Sequence, residues 1–259
     1  MRFAILGSGS SGNAALIECG ATRILLDCGF SARETATRLN RLGREPQALT
    51  AILLTHEHSD HVGGVLASAR RFGVPVWMTR GTRSALGSDA AALAEVHCFN
   101  PHGSFAIDDI EVHPFPVPHD AREPAQFVFS NGAVRLGYLT DIGVSTPHVE
   151  AKLNGCQALV LECNHDPQLL EAADYPASLK ARIRGAHGHL ANETAAQILR
   201  RLDTSALQHI VAAHLSRKNN TAALARAALS AALGCARREI DVADQDAGLG
   251  WRELSNGLT

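Results

Sequence analysis

No stretch of the 259-residue chain approaches the roughly 20 consecutive apolar residues that a spanning helix needs. The opening MRFAILGSGSSGN has neither the apolar core nor the cleavage site of a signal peptide, so a cytoplasmic protein with no membrane contact is expected. An excess of charge of one sign is also missing. The chain carries 24 Lys and Arg against 26 Asp and Glu, a formal net charge of -2, so any site for a polyanion must be local. Six cysteines are scattered without a C-x-x-C pair, which fits neither a zinc ribbon nor a disulfide framework and leaves reduced, mostly buried thiols. The 22 Gly and 10 Pro follow no repeat, and the composition disfavours collagen, coiled coil and disorder. With no Pro/Ser/Gly-rich linker, residues 1–259 read as one domain, long enough to bury about 70% of the unfolded surface. Trp and Tyr number two each, yet there are thirteen histidines, several directly after β-like runs.

Short apolar runs at RFAIL (2–6), AALIEC (14–19) and TRILLDCG (22–29) read as three strands joined by tight turns. SARETATRLNRLG follows with the helical spacing of Ala36, Leu39 and Leu42 and a terminal Gly. AILLT, PVWMT, ALVLEC and HIVAAH are further strand candidates, β-structure dominates residues 105–140, and helical patterns lie at 62–72, DPQLLEAA, SLKARIRG, ETAAQILRRL and TAALARAALSAAL. Strands and helices interleave throughout, which predicts an α/β domain of two sheets covered by helices.

AILLT (51–55) runs straight into His56-Glu57-His58-Ser59-Asp60-His61, which places four candidate metal ligands within six positions. On a strand end His56 and His58 point to one side, and the chain then turns into a helix whose first turn presents Asp60 and His61. Imidazole with carboxylate suits zinc, manganese or iron, and too little sulfur lies nearby for a purely structural thiolate site. The plain alternative is a capped helix start with exposed histidines, but capping needs only one such residue.

This H-x-H-x-D-H run after an apolar strand resembles the signature of the metallo-β-lactamase fold superfamily, and the likeness covers nearly the whole chain. It implies a four-layer αββα sandwich. It also implies one divalent ion on His56, His58 and His119 (VPHD), and a second on Asp60, His61 and His214 (IVAAHLS), with Asp141 (YLTDIG) shared. Asp27 in LLDCG matches a structural acid that braces the metal-binding loop by hydrogen bonds. GSGSSGN, LECNHD, GHLAN and AAHLSRKNN resemble the YycJ/WalJ branch of nucleases, which lacks the large inserted domain of RNase J. That resemblance implies a 5′-to-3′ DNA exonuclease, with DNA preferred over RNA. One departure is Ala191, where the branch leads one to expect Ser and a hydroxyl for phosphate.

The chemistry agrees with phosphoryl transfer, because paired metals activate water and stabilise both oxygens of an in-line displacement. Asp60 can ligate and orient the attacking water, and His189 or His165 is the right type of group to protonate the departing sugar oxygen. Asn192 either caps a helix or contacts substrate beside free backbone N–H groups. Arg217 and Lys218 after His214, and Lys180, Arg182 and Arg184 before GHLAN, are candidates for a positive rim. Ser8, Ser10, Ser11 and Asn13 lie in a Gly-rich turn that reads as a tight hairpin, without a Walker lysine. The competing readings are a hydrolase of a small cyclic phosphodiester, thioester or lactone on the same metals, and a metal-binding scaffold without catalysis. Metal identity, and monomer against homodimer, stay open in the sequence.

Overall fold

A computed structural model describes residues 1–256. One sheet holds, in spatial order, β14 (Leu249–Glu253), β1 (Arg2–Gly7), β2 (Ala14–Cys19), β3 (Thr22–Leu26), β4 (Ala51–Leu53), β5 (Val76–Thr79) and β6 (Val96–Phe99). The other runs β13 (Ile240–Val242), β12 (His209–Ala213), β11 (Ala158–Glu162), β10 (Arg135–Leu139), β9 (Ala125–Ser130), β8 (Ile110–Pro116) and β7 (Phe105–Ile107). Each sheet changes from antiparallel to parallel pairing part way across, at β3 in the first and β10 in the second. Among the described residues no helix is long and apolar enough to cross a membrane.

Most of these strands are apolar on both faces because both faces are covered. In β2, Ala15 and Ile17 join the core between the sheets while Ala14 and Leu16 join the core under the helices. In β11, Ala158 and Val160 face the inter-sheet core, with Leu159 and Leu161 on the opposite, helix-covered side. Near-continuous hydrophobic runs are what doubly covered strands require. Helices Ala32–Arg41 and Val65–Phe72 supply Leu39, Val65, Ala69 and Phe72 to one outer core. Helices Asn192–Arg201 and Ala222–Leu233 supply Ala195, Ile198, Leu199, Ala225 and Leu229 to the other. The four layers are therefore helix, sheet, sheet, helix, as the sequence resemblance implied.

Differences from the sequence reading lie at element ends. AILLT is a strand only over Ala51–Leu53, and Leu54 and Thr55 begin the turn toward the histidines. Asn192 is not a helix cap: the cap position is Ala191, which has no side-chain bond to offer, and Asn192 is the first helical residue.

Candidate metal centre

The carboxyl ends of the parallel strands converge on one edge of the sandwich. Asp27 follows β3, Thr55 to His61 follow β4, Asp141 follows β10, Glu162 ends β11 and His214 follows β12. Three of these residues, Asp27, Asp141 and His214, have φ of 58°, 53° and 56°, a left-handed conformation that costs a non-glycine residue about 1–3 kcal/mol. The strained turns aim the side chains of three strands into a common site.

Every histidine of the cluster spends one ring nitrogen on a supporting group. His61 Nδ1 donates to Asp27 Oδ2 at 2.8 Å, and His214 Nδ1 to Glu162 Oε1 at 3.0 Å. His119 Nδ1 donates to the Gly188 carbonyl at 3.1 Å, and His58 Nε2 to the Asp120 carbonyl at 3.2 Å. Thr55 Oγ1 donates to Asp27, so His56 Nδ1, 3.0 Å from that hydroxyl, is the donor there. The other nitrogen of each ring is then an acceptor. His58 Nδ1 and His119 Nε2, both acceptors, face each other at 3.3 Å. His61 Nε2 lies 3.2 Å from Asp141 Oδ2, and His214 Nε2 lies 3.6 Å from Asp60 Oδ2.

Lone pairs do not pack against lone pairs without a cation between them. His56 Nε2, His214 Nε2 and Asp141 Oδ2 are buried and have no hydrogen-bond partner. Donor atoms of His56, His58 and His119 lie within 4.8 Å of one another, as do those of Asp60, His61 and His214, and those of His56, His61 and Asp141. Asp27, Asp141 and Glu162 are at most 2% exposed, and among the described residues no Lys or Arg pairs with them or with Asp60. Buried carboxylates need a counter-charge, and divalent ions held by this nitrogen and oxygen set would supply it. The residues present fit a metal centre.

The electrostatics agree. Burial opposes charge at both His61 and His214, but Asp141 and its neighbours outweigh it, raising His61 well above its ordinary value and His214 to about 10. Asp141 and Asp60 are held well below the usual carboxylate range against their own burial, by His214 and His61 in both cases. Without a cation, protons on these imidazoles are the only positive charge the cluster has.

Two supporting residues, Glu162 and Thr55, escaped the sequence reading, and two more, Ser8 and Asn13, were read there only as part of a hairpin. Glu162 is fully buried; its Oε1 also accepts from His189 Nδ1 at 2.8 Å, and its Oε2 accepts the backbone N–H of Ile142 and Leu190 at 3.2 and 3.0 Å. Thr55 ties Asp27 to His56. Asn13 Nδ2 lies 3.2 Å from Asp60 Oδ2 and 3.1 Å from His61 Nε2, and Ser8 Oγ accepts from His214 N at 2.9 Å, so the Gly-rich hairpin is a wall of the site. A cleft of about 340 Å³ opens over the cluster, lined by Ser10, His58, Ser59, Asp60, Asp141, Arg182, His189 and His214.

Other candidates lie elsewhere. His165 is 3% exposed and does not line the cleft. The Asn192 amide exchanges two bonds of 2.8 Å with Asn220, which leaves its side chain committed within the protein. Arg217 pairs with Asp246 at 2.6 Å, and the Lys218 ammonium sits 5.4 Å from the centre of the Tyr175 ring. Neither cation lines the cleft.

Residues 22–214 match the family described as "Beta-lactamase superfamily domain". The chain is 34% identical over 235 residues to "Exodeoxyribonuclease YycJ" of Bacillus anthracis, an alignment covering 90% of this chain and 89% of that protein. It is 33% identical over 229 residues to "Exodeoxyribonuclease WalJ" of Streptococcus pneumoniae, covering 86% and 85%. Among solved structures, the metallo-β-lactamase fold protein YhfI of Bacillus subtilis superposes with a TM-score of 0.74 at 14% identity, over 97% of this chain and 99% of that one.

Proposed function

Because the chain belongs to the beta-lactamase superfamily, we propose that it is a dinuclear-metal phosphodiesterase acting as a DNA exonuclease in the 5′-to-3′ direction, folded as one domain. The observation that carries the hydrolytic reading is the buried His56 Nε2, His214 Nε2 and Asp141 Oδ2, which have no hydrogen-bond partner, beside the facing acceptors His58 Nδ1 and His119 Nε2. The names of the two relatives matched over most of their length support DNA as substrate.

In this reading His56, His58 and His119 hold one ion, Asp60, His61 and His214 hold the second, and Asp141 belongs to both. Zinc and manganese suit the set, and iron is admitted by the same donors. When bound, the ions supply activation of water and neutralisation of charge on the attacking and leaving oxygens. The rest falls to the protein. Asp60, with 23% of its side chain exposed against 2% for Asp141, is the more open of the two acids lining the cleft and orients the water. His189 lines the cleft with 24% of its side chain exposed, and its Nδ1 is fixed by Glu162. Burial opposes charge on this ring but Glu162 outweighs it and favours the imidazolium, whose Nε2–H is left to donate a proton to the departing sugar oxygen. His189 therefore takes the acid role in preference to His165, which is buried and does not line the cleft.

The test is incubation of zinc- and manganese-loaded protein with end-labelled single- and double-stranded DNA and RNA. The proposal expects DNA to shorten from its 5′ end and Asp60→Ala to abolish shortening. Hydrolysis of a simple nitrophenyl diester with every strand left whole would replace it with the small-substrate reading.

A further inference from the structure

The cleft has acids and histidines in plenty but, among the described residues lining it, a single Lys or Arg, namely Arg182. Its neighbours in the sequence are turned away. Lys180 Nζ donates to the Glu171 carbonyl, and Arg184 Nη1 pairs with Glu171 Oε2 at 3.0 Å. Arg182 instead meets Asp120, the residue after His119, with Nε and Nη2 both 2.7 Å from Oδ2. A guanidinium has five N–H donors in a rigid fork, so most of its donors stay free, and the side chain is 64% exposed.

This placement is built. The helix Ala177–Ile183 buries none of its own residues, yet its end is fixed: His189 N donates to the Ile183 carbonyl at 2.8 Å. Gly188 packs so closely that a Cβ there would lie 2.2 Å from the Arg182 carbonyl oxygen. Asp120 N donates to the His187 carbonyl at 3.1 Å, which ties the loop carrying His119 to the loop carrying His189. Exposed ion pairs hold little net energy, so the Arg182–Asp120 pair is poorly explained as a stabilising device. A pair that is cheap to rearrange, with donors to spare over the cleft, is suited to ligand exchange.

We propose that Arg182, oriented by Asp120, grips a phosphate of the substrate strand adjacent to the one being cleaved. This rests on the nuclease reading above. The planar fork matches two phosphate oxygens at once, which an ammonium does not. Asp120 Oδ1 lies 3.7 Å from His58 Nε2, so the same carboxylate that steadies Arg182 also borders a proposed metal ligand. Strand binding and the metal centre are thereby kept in register.

The experiment compares wild type, Arg182→Ala, Arg182→Lys and the remote control Arg83→Ala, all metal-loaded. Kinetics on a short single-stranded oligodeoxynucleotide are paired with anisotropy binding to its phosphorothioate analogue over a range of salt. Loss of a charge-assisted contact predicts for Arg182→Ala an affinity loss and KM rise of about ten- to a hundredfold. It also predicts a salt slope shallower by about 0.7, against a small change in kcat. Arg182→Lys recovers part of the affinity, and Arg83→Ala stays near wild type. A fall in kcat with KM unchanged, or an Arg182→Ala indistinguishable from Arg83→Ala, overturns the assignment while leaving the nuclease reading intact. A wild type that neither binds nor cleaves any strand overturns both.

Discussion

Glu162 receives the N–H groups of two histidines with one oxygen and two backbone N–H groups with the other, so it fixes which nitrogen of His189 and of His214 looks into the cleft. Glu162→Gln keeps the shape and removes the charge. The expected outcome is a loss of about ten- to a hundredfold in metal affinity or turnover, read by chelator competition and by kcat, since outer partners of metal ligands are worth that much. Unchanged affinity and turnover would reduce Glu162 to a packing residue. The sequence displayed the ligands better than their supports. His56, His58, Asp60 and His61 stand together in a pattern, whereas Glu162 and Thr55 look like ordinary residues at the ends of ALVLE and AILLT. The one signal for Glu162 was an acid inside an apolar run, because a charged residue is almost never fully buried unless it is paired.

At the scale of elements, the loops after β1, β3 and β4 form one unit. Asp60 O accepts from Asn13 N at 2.8 Å, His61 O from Cys28 N at 2.7 Å, and Gly64 N donates to Cys28 O at 2.8 Å. Gly29 permits this approach, since a Cβ there would lie 1.8 Å from the Asp60 carbonyl oxygen. Gly29→Ala should therefore destabilise by about 1–3 kcal/mol in urea unfolding and weaken metal binding with it. Gly73→Ala, at φ +70° but with nothing within 4 Å, carries only the conformational cost of about 1 kcal/mol and leaves the site alone. Equal effects of the two on metal binding would contradict the coupling of these loops. Strand interiors were legible because their runs are apolar, although β4 stops two residues before the run AILLT does. The boundary at Asn192 was not, because an Asn beside a helix start fits both the cap and the first turn. The role of the GSGSSGN hairpin depended on contacts with His214 and Asp60 that no local pattern contains.

For the whole molecule, interleaved strand and helix patterns were enough to foresee two covered sheets. The switch from antiparallel to parallel pairing within each sheet was not foreseeable, because both kinds of strand are equally apolar here. At the sheet end opposite the metal centre, Glu18 of β2 binds Arg44 and Arg2, with hydrogen bonds of 2.6 and 2.7 Å, and lies 3.3 Å from Arg23 of β3. Burial alone would raise its pKa, but the bonds from Arg44 and Arg2 bring it down to about 2 from an ordinary 4.5. A carboxyl depressed in the fold contributes stability above its unfolded pKa and loses it as the pH falls. Stability should thus decline as pH drops from about 4.5 toward 2, and Glu18→Gln should flatten that part of the profile in urea titrations. An unchanged slope would remove Glu18 from the acid response. Metal binding would add its own coupling, since any cation that binds only the folded chain stabilises it. The most direct test is elemental analysis of the purified protein beside its hydrolysis of DNA, before and after chelation. Two equivalents of divalent metal per chain, lost together with cleavage on chelation and regained together on reloading, is the predicted result. Full cleavage by metal-free protein would contradict it.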